Sequence, residues 1–577
     1  MKLTLLPALL ALLPFAQDDA AKTEAPAATQ EAAAKSEFGA PLVVNGKTIS
    51  ENTIKRFLIY GVGSGALSSR KLEGFTSQEV ELRNAAGEDT SQYDVTEEEF
   101  LKEYNKTIDQ FTSRYPMLDA DTEVGRAYKS VEWYRRQLRQ TIYFDKIFFP
   151  TDPADWPEVT KEAIYSGSPE VDLVEDAKKN HDRRMLYAEE NGTEYVPEDE
   201  MFMGLLRDYM IMSLTSLVTI KTAADGIPEE FVMIIDGGGF RDEITTKDFY
   251  EEIRIFVSEQ DIADAKRFLA LCLATEDRLR EDKILLSDED HQAFLDKLTG
   301  DLENTFFNMD FLALQGHQFP SVVAYKEYTR LMESYRTKLA SELADGEDGQ
   351  ISGTLRDHLQ VANSVMGLAK ADAEVILVSS YDWLHNKWKD GGWKSAEENA
   401  WAIKDDLDAH RAKIKDVQGK QRDAQAKGET FEPEEDLLPF EQYWAQVLDL
   451  KSEYWDPPMP VSGKMPPMQG MKLKGRFGLN TRNDLERAIG ESAYSHLING
   501  YSITDTIFFD LDTGQVAGPY KGPFGYYIIL LRTRTAPTSP LRLSEPKHIE
   551  LLKEDYTKRR FIKYAQEALA NAEVSGL

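Results

Sequence analysis

Apolar and polar residues alternate along this chain in two rhythms. Helices are predicted over YKSVEWYRRQLRQTIYFDKI (128–147), YKEYTRLMESYRTKLA (325–340), LRDHLQVANSVMGLA (355–369) and a charged segment from Ser395 to about Lys427. Two more are predicted over 440–456 and 548–569; in the latter Ile549, Leu552, Tyr556, Phe561 or Ile562, Tyr564 and Leu569 recur at helical spacing. Short continuous apolar runs predict strands at Leu42–Gly46, Val232–Gly237 and Ala373–Val378. A further stretch, DTIFFDLDTGQVAGPYKGPFGYYIILLR (505–532), sets the runs Ile507–Leu511 and Tyr526–Leu531 around glycine turns at Gly514, Gly522 and Gly525. It predicts a strand pair at the edge of a small sheet.

One part of the pattern repeats. Leu42-Val43-Val44-Asn45-Gly46 is followed by a cap at Thr96-Glu97-Glu98-Glu99 and the helix at 128–147; Val232 to Gly237 is followed by a cap at Ser287-Asp288-Glu289-Asp290 and the helix at 325–340. Gly46 to Val95 and Gly237 to Leu286 are both 49 residues apart, an equal separation that favours duplication. Between the copies, 151–228 begins with TDPADWPE and continues as a predicted helical connector. Its Met201, Met203, Met210 and Met212 fill a helix core or line an adaptable binding surface. Residues 344–352 are a linker.

Composition narrows the function. The chain has 577 residues and a net charge of −33, which argues against nucleic acid as a partner, since phosphate binding needs clustered Lys and Arg. The single cysteine, Cys272, has no partner for an internal disulfide and reads as a small core residue. Residues 1–16 (MKLTLLPALLALLPFA) have the charge and apolar length of a signal peptide, and 17–40 read as a disordered tether. No later segment reads as a transmembrane helix, so the expected product is exported and soluble, in a periplasm or cell envelope. The eight histidines show no metal-site spacing, GVGSG (61–65) lacks the Lys of a phosphate loop, and DGGGF (236–240) reads as a turn. No metal or other cofactor is expected.

The stretch near the C-terminus resembles the signature of parvulin-type (PpiC-type) peptidyl-prolyl isomerase domains: Phe509-Asp510-Leu511, Gly514-Gln515-Val516, Pro519, then Phe524-Gly525-Tyr526-Tyr527-Ile528-Ile529. Upstream, Ala373–Val378 is similar to that family's opening strand, 395–427 and 440–456 to its helices, and Gly475-Arg476-Phe477-Gly478 to its G-x-L-G. The Leu42–Gly46 and Val232–Gly237 units look like the helical N-terminal module of SurA-type chaperones and their PrsA and PpiD relatives. The implied architecture is helix-dominated α+β and multidomain: module 1 at 41–150, module 2 at 229–343, a linker and helix at 344–371, a parvulin-like small-sheet domain with flanking helices at 372–535, and a C-terminal helix at 536–577 packing back on the N-terminal modules.

What the resemblance implies about function is binding of unfolded or extended polypeptides without ATP, joined to an isomerase-like domain. Rotation about X-Pro faces a barrier of ~18–20 kcal/mol, and lowering it calls for an apolar cup around the proline rather than a nucleophile or metal. In parvulins a hydrogen-bonded histidine pair underlies that cup. Here its two slots hold Val375 and Tyr527, and valine cannot hydrogen-bond through its side chain. Tyr454 or Asp456 takes the Asp/Cys slot, and Thr504 stands where an aromatic is expected. The expectation is weak or absent isomerase activity and no catalytic residue, with a candidate peptide groove at Val375, Phe477, Ile503, Phe509 and Tyr527. Core packing is the competing role of those residues. An active isomerase with a rearranged site and a non-catalytic envelope adaptor are the alternatives.

Overall fold

The computed structural model describes residues 37–114, 124–125, 130–150, 218–237, 240–303, 309, 311–344, 351–382, 387–431, 433, 437–454 and 475–577. The signal-like run, the tether, the methionine run and most of the connector lie outside the described residues. The architecture is helix-dominated α+β. It divides into two compact units, one from Glu51 to Val257 and one combining 36–50 with 258–577.

The chain opens with a hairpin of β1 (Leu42–Val44) and β2 (Lys47–Ile49) that belongs to the second unit. Its two turn residues, Asn45 and Gly46, both have positive φ (49° and 76°), the geometry of tight two-residue hairpins that Asn-Gly favours.

The first unit follows, with helices α1 (Glu51–Gly61), α2 (Ser64–Ala85), α3 (Glu97–Arg114) and α4 (Val131–Phe148). A three-stranded sheet of β3 (Thr219–Lys221), β4 (Phe231–Gly237) and β5 (Phe240–Thr245) then leads into α5 (Thr246–Ile253). The cap read at Thr96 forms: its amide donates to Glu99 Oε2 at 2.8 Å, and the Glu99 amide donates to Thr96 Oγ1 at 3.3 Å. Both hairpins are thus followed by a helix, but the first hairpin and the helices after it fall in different units.

The second unit continues with α6 (Glu259–Glu281), α7 (Asp288–Glu303), α8 (Val322–Leu343) and α9 (Gly353–Met366). Next come β6 (Lys370–Ser379), a two-stranded ribbon of β7 (Tyr381–Asp382) and β8 (Lys387–Trp388), then α10 (Gly392–Lys427) and α11 (Phe440–Lys451). The chain goes on through β9 (Arg476–Thr481), α12 (Arg482–Ile489), α13 (Ala493–Asn499) and α14 (Ile503–Phe509). It ends with β10 (Val516–Gly522), β11 (Gly525–Arg534), α15 (Pro546–Asn571) and β12 (Val574–Ser575).

Four of these strands form one antiparallel sheet in the order β10-β11-β6-β9. Two expectations are corrected here. The apolar run at 507–511 is not a strand: residues 503–509 are helical, because Ser502 accepts the Asp505 amide at 3.0 Å and the Glu491 carboxylate accepts the amides of Ile503 and Thr504 at 2.6 and 2.8 Å. The run at 526–531 is central in the sheet, and β10 takes the edge instead.

Both faces of the sheet are covered, which is why β6 and β11 read as nearly unbroken apolar runs. One face, with Ala371, Ala373, Val375, Leu377, Tyr527, Ile529 and Leu531, packs on Leu485 and Ile489 of α12 and on Ile503, Ile507 and Phe508 of α14. The opposite face, with Ile376, Val378, Ile528 and Leu530, packs on Ala396, Ala400 and Leu407 of α10 and Trp444, Val447 and Leu448 of α11. Glu374 on that second face is held by Trp444 Nε1 at 2.6 Å and Arg532 at 2.7 Å.

The chain ends close the same unit. Helix α15 packs on α6, α8, α9 and α13, and β12 pairs with β1. Asn45 exchanges hydrogen bonds with the backbone of Glu573 (2.9 and 3.0 Å), and the Lys266 ammonium donates to the carbonyls of Phe38 (2.5 Å) and Gly576 (2.6 Å). Cys272 is buried in α6, as its apolar surroundings in sequence suggest.

Candidate functional site

The five residues singled out from sequence come together. Val375, Phe477, Ile503 and Tyr527 are members of one buried cluster, and Phe509 packs against it. In β6 and β11, Val375 pairs with Ile529 and Leu377 with Tyr527, so Val375 and Tyr527 are diagonal neighbours on one sheet face. Val375, Ile503 and Tyr527 have 0% exposure and Phe477 has 8%, so in this conformation the cluster is filled by its own side chains. Phe509 is half-buried, with the Arg559 guanidinium 5.0 Å from its ring centre.

Tyr527 occupies the middle of the cluster. Its hydroxyl donates to the Ile489 carbonyl at 3.2 Å, and burial pushes its phenol far above the ordinary range. The ring packs closely against Gly522, where an added Cβ would stand 2.4 Å from Tyr527 Cε2 and 2.9 Å from Ile503 Cδ1. Glycine is required there by the ring. A second close approach brings Gly475 (φ +89°) against β6, where its carbonyl accepts the Val375 amide at 2.9 Å. A Cβ at that position would collide with the Val375 carbonyl oxygen at 1.9 Å.

Of the two residues weighed for the Asp/Cys slot, Asp456 lies outside the described residues and Tyr454 is beside the cluster. Its ring is edge-on to Phe477 at 5.4 Å and 6.4 Å from that of Tyr527. The Tyr454 hydroxyl is buried with no hydrogen-bond partner among the described residues, and burial raises its pKa well above the usual phenol value. Neither phenol is an acid or base near neutral pH, and no histidine belongs to the described cluster.

One residue went unnoticed in the sequence. Glu491, 5% exposed, accepts the Thr504 hydroxyl at 2.5 Å besides the amides at the start of α14. Burial alone would raise its pKa; the neighbouring His496 imidazole and the Thr504 hydroxyl and amide outweigh that and hold it below the ordinary value. Thr504, in the slot where an aromatic is expected, is therefore a carboxylate ligand. The local signal was the Ser502-x-x-Asp505 cap; the carboxylate arrives from another turn of chain, and nothing in the local pattern announces it.

Among the described residues no group of three or more His, Cys, Asp or Glu could hold a metal ion, and no helix is long and apolar enough to cross a membrane. No family model matches the chain, and no curated protein matches it in sequence. Among solved structures it is similar to the peptidylprolyl isomerase PrsA of Bacillus cereus, at 15% identity over 57% of this chain and 86% of that one, with a TM-score of 0.17. PrsA of Bacillus anthracis is 16% identical over 53% of this chain and 99% of that one (TM-score 0.19). PrsA of Bacillus subtilis is 15% identical over 57% and 87% (TM-score 0.14). Superpositions this loose carry no argument about activity.

Proposed function

We propose that this protein holds unfolded or extended polypeptides without ATP, and that its sheet domain is an isomerase-like domain that does not catalyse. The observation that carries the reading is the content of one sheet face. The segments that resemble a parvulin domain meet in a single four-stranded sheet, and at the place of the histidine pair stand Val375 and Tyr527, both without exposed surface. Acceleration of X-Pro rotation depends on a pocket that receives the proline ring. Here Tyr527 stands fully buried at one histidine slot, with its hydroxyl donating to the Ile489 carbonyl and its proton retained through burial, which supports a site without catalysis. The apolar run at 1–16 supports a setting in the cell envelope.

The test uses one purified sample for two measurements. Aggregation of several unrelated unfolded proteins is expected to be suppressed, while a protease-coupled proline-peptide assay stays at the uncatalysed rate. An isomerisation rate above background that disappears in Tyr527→Phe, which keeps the ring and removes only the hydroxyl, would overturn the non-catalytic reading. Failure to suppress aggregation of any client would overturn the holding function.

A further inference from the structure

The second unit contains a cavity of about 760 Å³ that includes none of the five candidate groove residues. This lies within the roughly 300–1,000 Å³ typical of ligand sites. It is bordered by the C-terminal end of α9, by α12 and the start of α13, and by one face of α15. Most of its charged groups are already matched to each other. Arg482 and Arg559 share Asp505 at 3.0 and 2.6 Å, Arg559 also holds Asp555 at 2.9 Å, and Asp555 meets His358 at 2.8 Å. Lys558 is paired with Glu554 at 2.7 Å.

Two kinds of group remain open. Arg487 is exposed, lines the cavity and makes no ion pair among the described residues. Around it the same cavity carries apolar surface that water now covers: Leu368 is 50% exposed and Leu551 39%, with Met366 half-buried beside them. A self-compensated wall offers a ligand little net field, so selectivity falls to the unmatched guanidinium and the aliphatic edges.

We propose that this cavity is a seat for an extended polypeptide segment in which aliphatic side chains flank a carboxylate. The aliphatic groups cover Leu368, Leu551 and Met366, and the carboxylate pairs with Arg487, the planar fork suited to it. This rests on the polypeptide-holding reading above and adds to it a location and a sequence preference, one the net charge of −33 would not suggest.

The probes are two fluorescein-labelled unstructured peptides, one alternating Leu with Glu and one alternating Leu with Lys, titrated by anisotropy against the full chain. The Leu-Glu peptide is expected to bind at least about tenfold more tightly at low salt, with the difference shrinking as ionic strength rises. Arg487→Glu is expected to reverse the preference, and the uncharged pair Leu368→Ser with Leu551→Ser to weaken both peptides about tenfold or more. All three positions carry exposed or half-exposed side chains, so thermal unfolding should be unmoved. Leu450→Asp, on an 80% exposed leucine of α11 that does not line the cavity, is expected to change nothing. If the wild type binds peptides but Arg487→Glu and the leucine variants bind as it does, the cavity is not the seat, and the holding function stands. If the wild type binds neither peptide and suppresses no aggregation, the holding function falls as well.

Discussion

Gly522→Ala tests the packing on which the closed site depends. The added methyl would meet Tyr527 Cε2 at 2.4 Å, Tyr527 Cδ2 at 2.7 Å and Ile503 Cδ1 at 2.9 Å, all inside van der Waals contact. The ring has little room to yield, since Tyr527 is fully buried and its hydroxyl is tied to Ile489. Overpacking of a dense core costs about 1–3 kcal/mol, and this geometry belongs at the upper end. Tyr527→Ala removes the obstacle and leaves a cavity, at about 3–5 kcal/mol by comparison with other large aromatic truncations. In the double variant the methyl added at Gly522 enters space the ring has vacated. Its cost should therefore fall short of the sum of the single costs by about 1–3 kcal/mol. Urea unfolding of the full chain, followed by near-ultraviolet circular dichroism, reads these differences as midpoint shifts at constant slope. A Gly522→Ala variant within about 0.5 kcal/mol of wild type, or strictly additive effects, would refute the claim that Tyr527 fills the site.

Three further outcomes follow from buried polar groups. Burial would raise Asp555, but the His358 hydrogen bond and the Arg559 guanidinium bring it down to about 2, so its contribution is present above the ordinary carboxylate range and lost as pH falls through about 2. The stability gap between wild type and Asp555→Asn should therefore shrink by about 2 kcal/mol between pH 5 and pH 2; a constant gap in urea midpoints would contradict it. Burial raises Glu73 to about 8, so the folded state retains a proton the unfolded chain releases, and stability declines as pH rises from about 5 to 8. Glu73→Gln should be more stable than wild type by at least about 2 kcal/mol at pH 8 and nearly equal at pH 4, read as thermal midpoints. Lys266→Met keeps the aliphatic stem but strips the donor from the Phe38, Ala40 and Gly576 carbonyls, for a loss of about 3 kcal/mol and early hydrogen exchange at Val43 and Val44. Unchanged exchange there would show that the ammonium does not hold the two chain ends together.

The sequence by itself determined most of the local structure. Asn45-Gly46 specifies a tight hairpin, Thr96-x-x-Glu99 a helix start, and the apolar runs at 373–378 and 526–531 strands. These are decided by backbone sterics and by which side chains avoid water, over a few neighbouring residues. Tertiary structure alone decided three other things. Residues 503–509 are rich in β-formers, yet they are helical because Glu491, twelve residues before Ile503, brings a carboxylate to their amides. The terminal strands β1 and β12 pair although more than five hundred residues separate them, joined by Asn45 and Lys266. The candidate groove residues were legible as a group, but not that Tyr527 and its neighbours close the space between them. Whether a cluster of apolar side chains is a cup or a core depends on the volume left after packing, and that is fixed by contacts from β6, β9, α14 and β11 together.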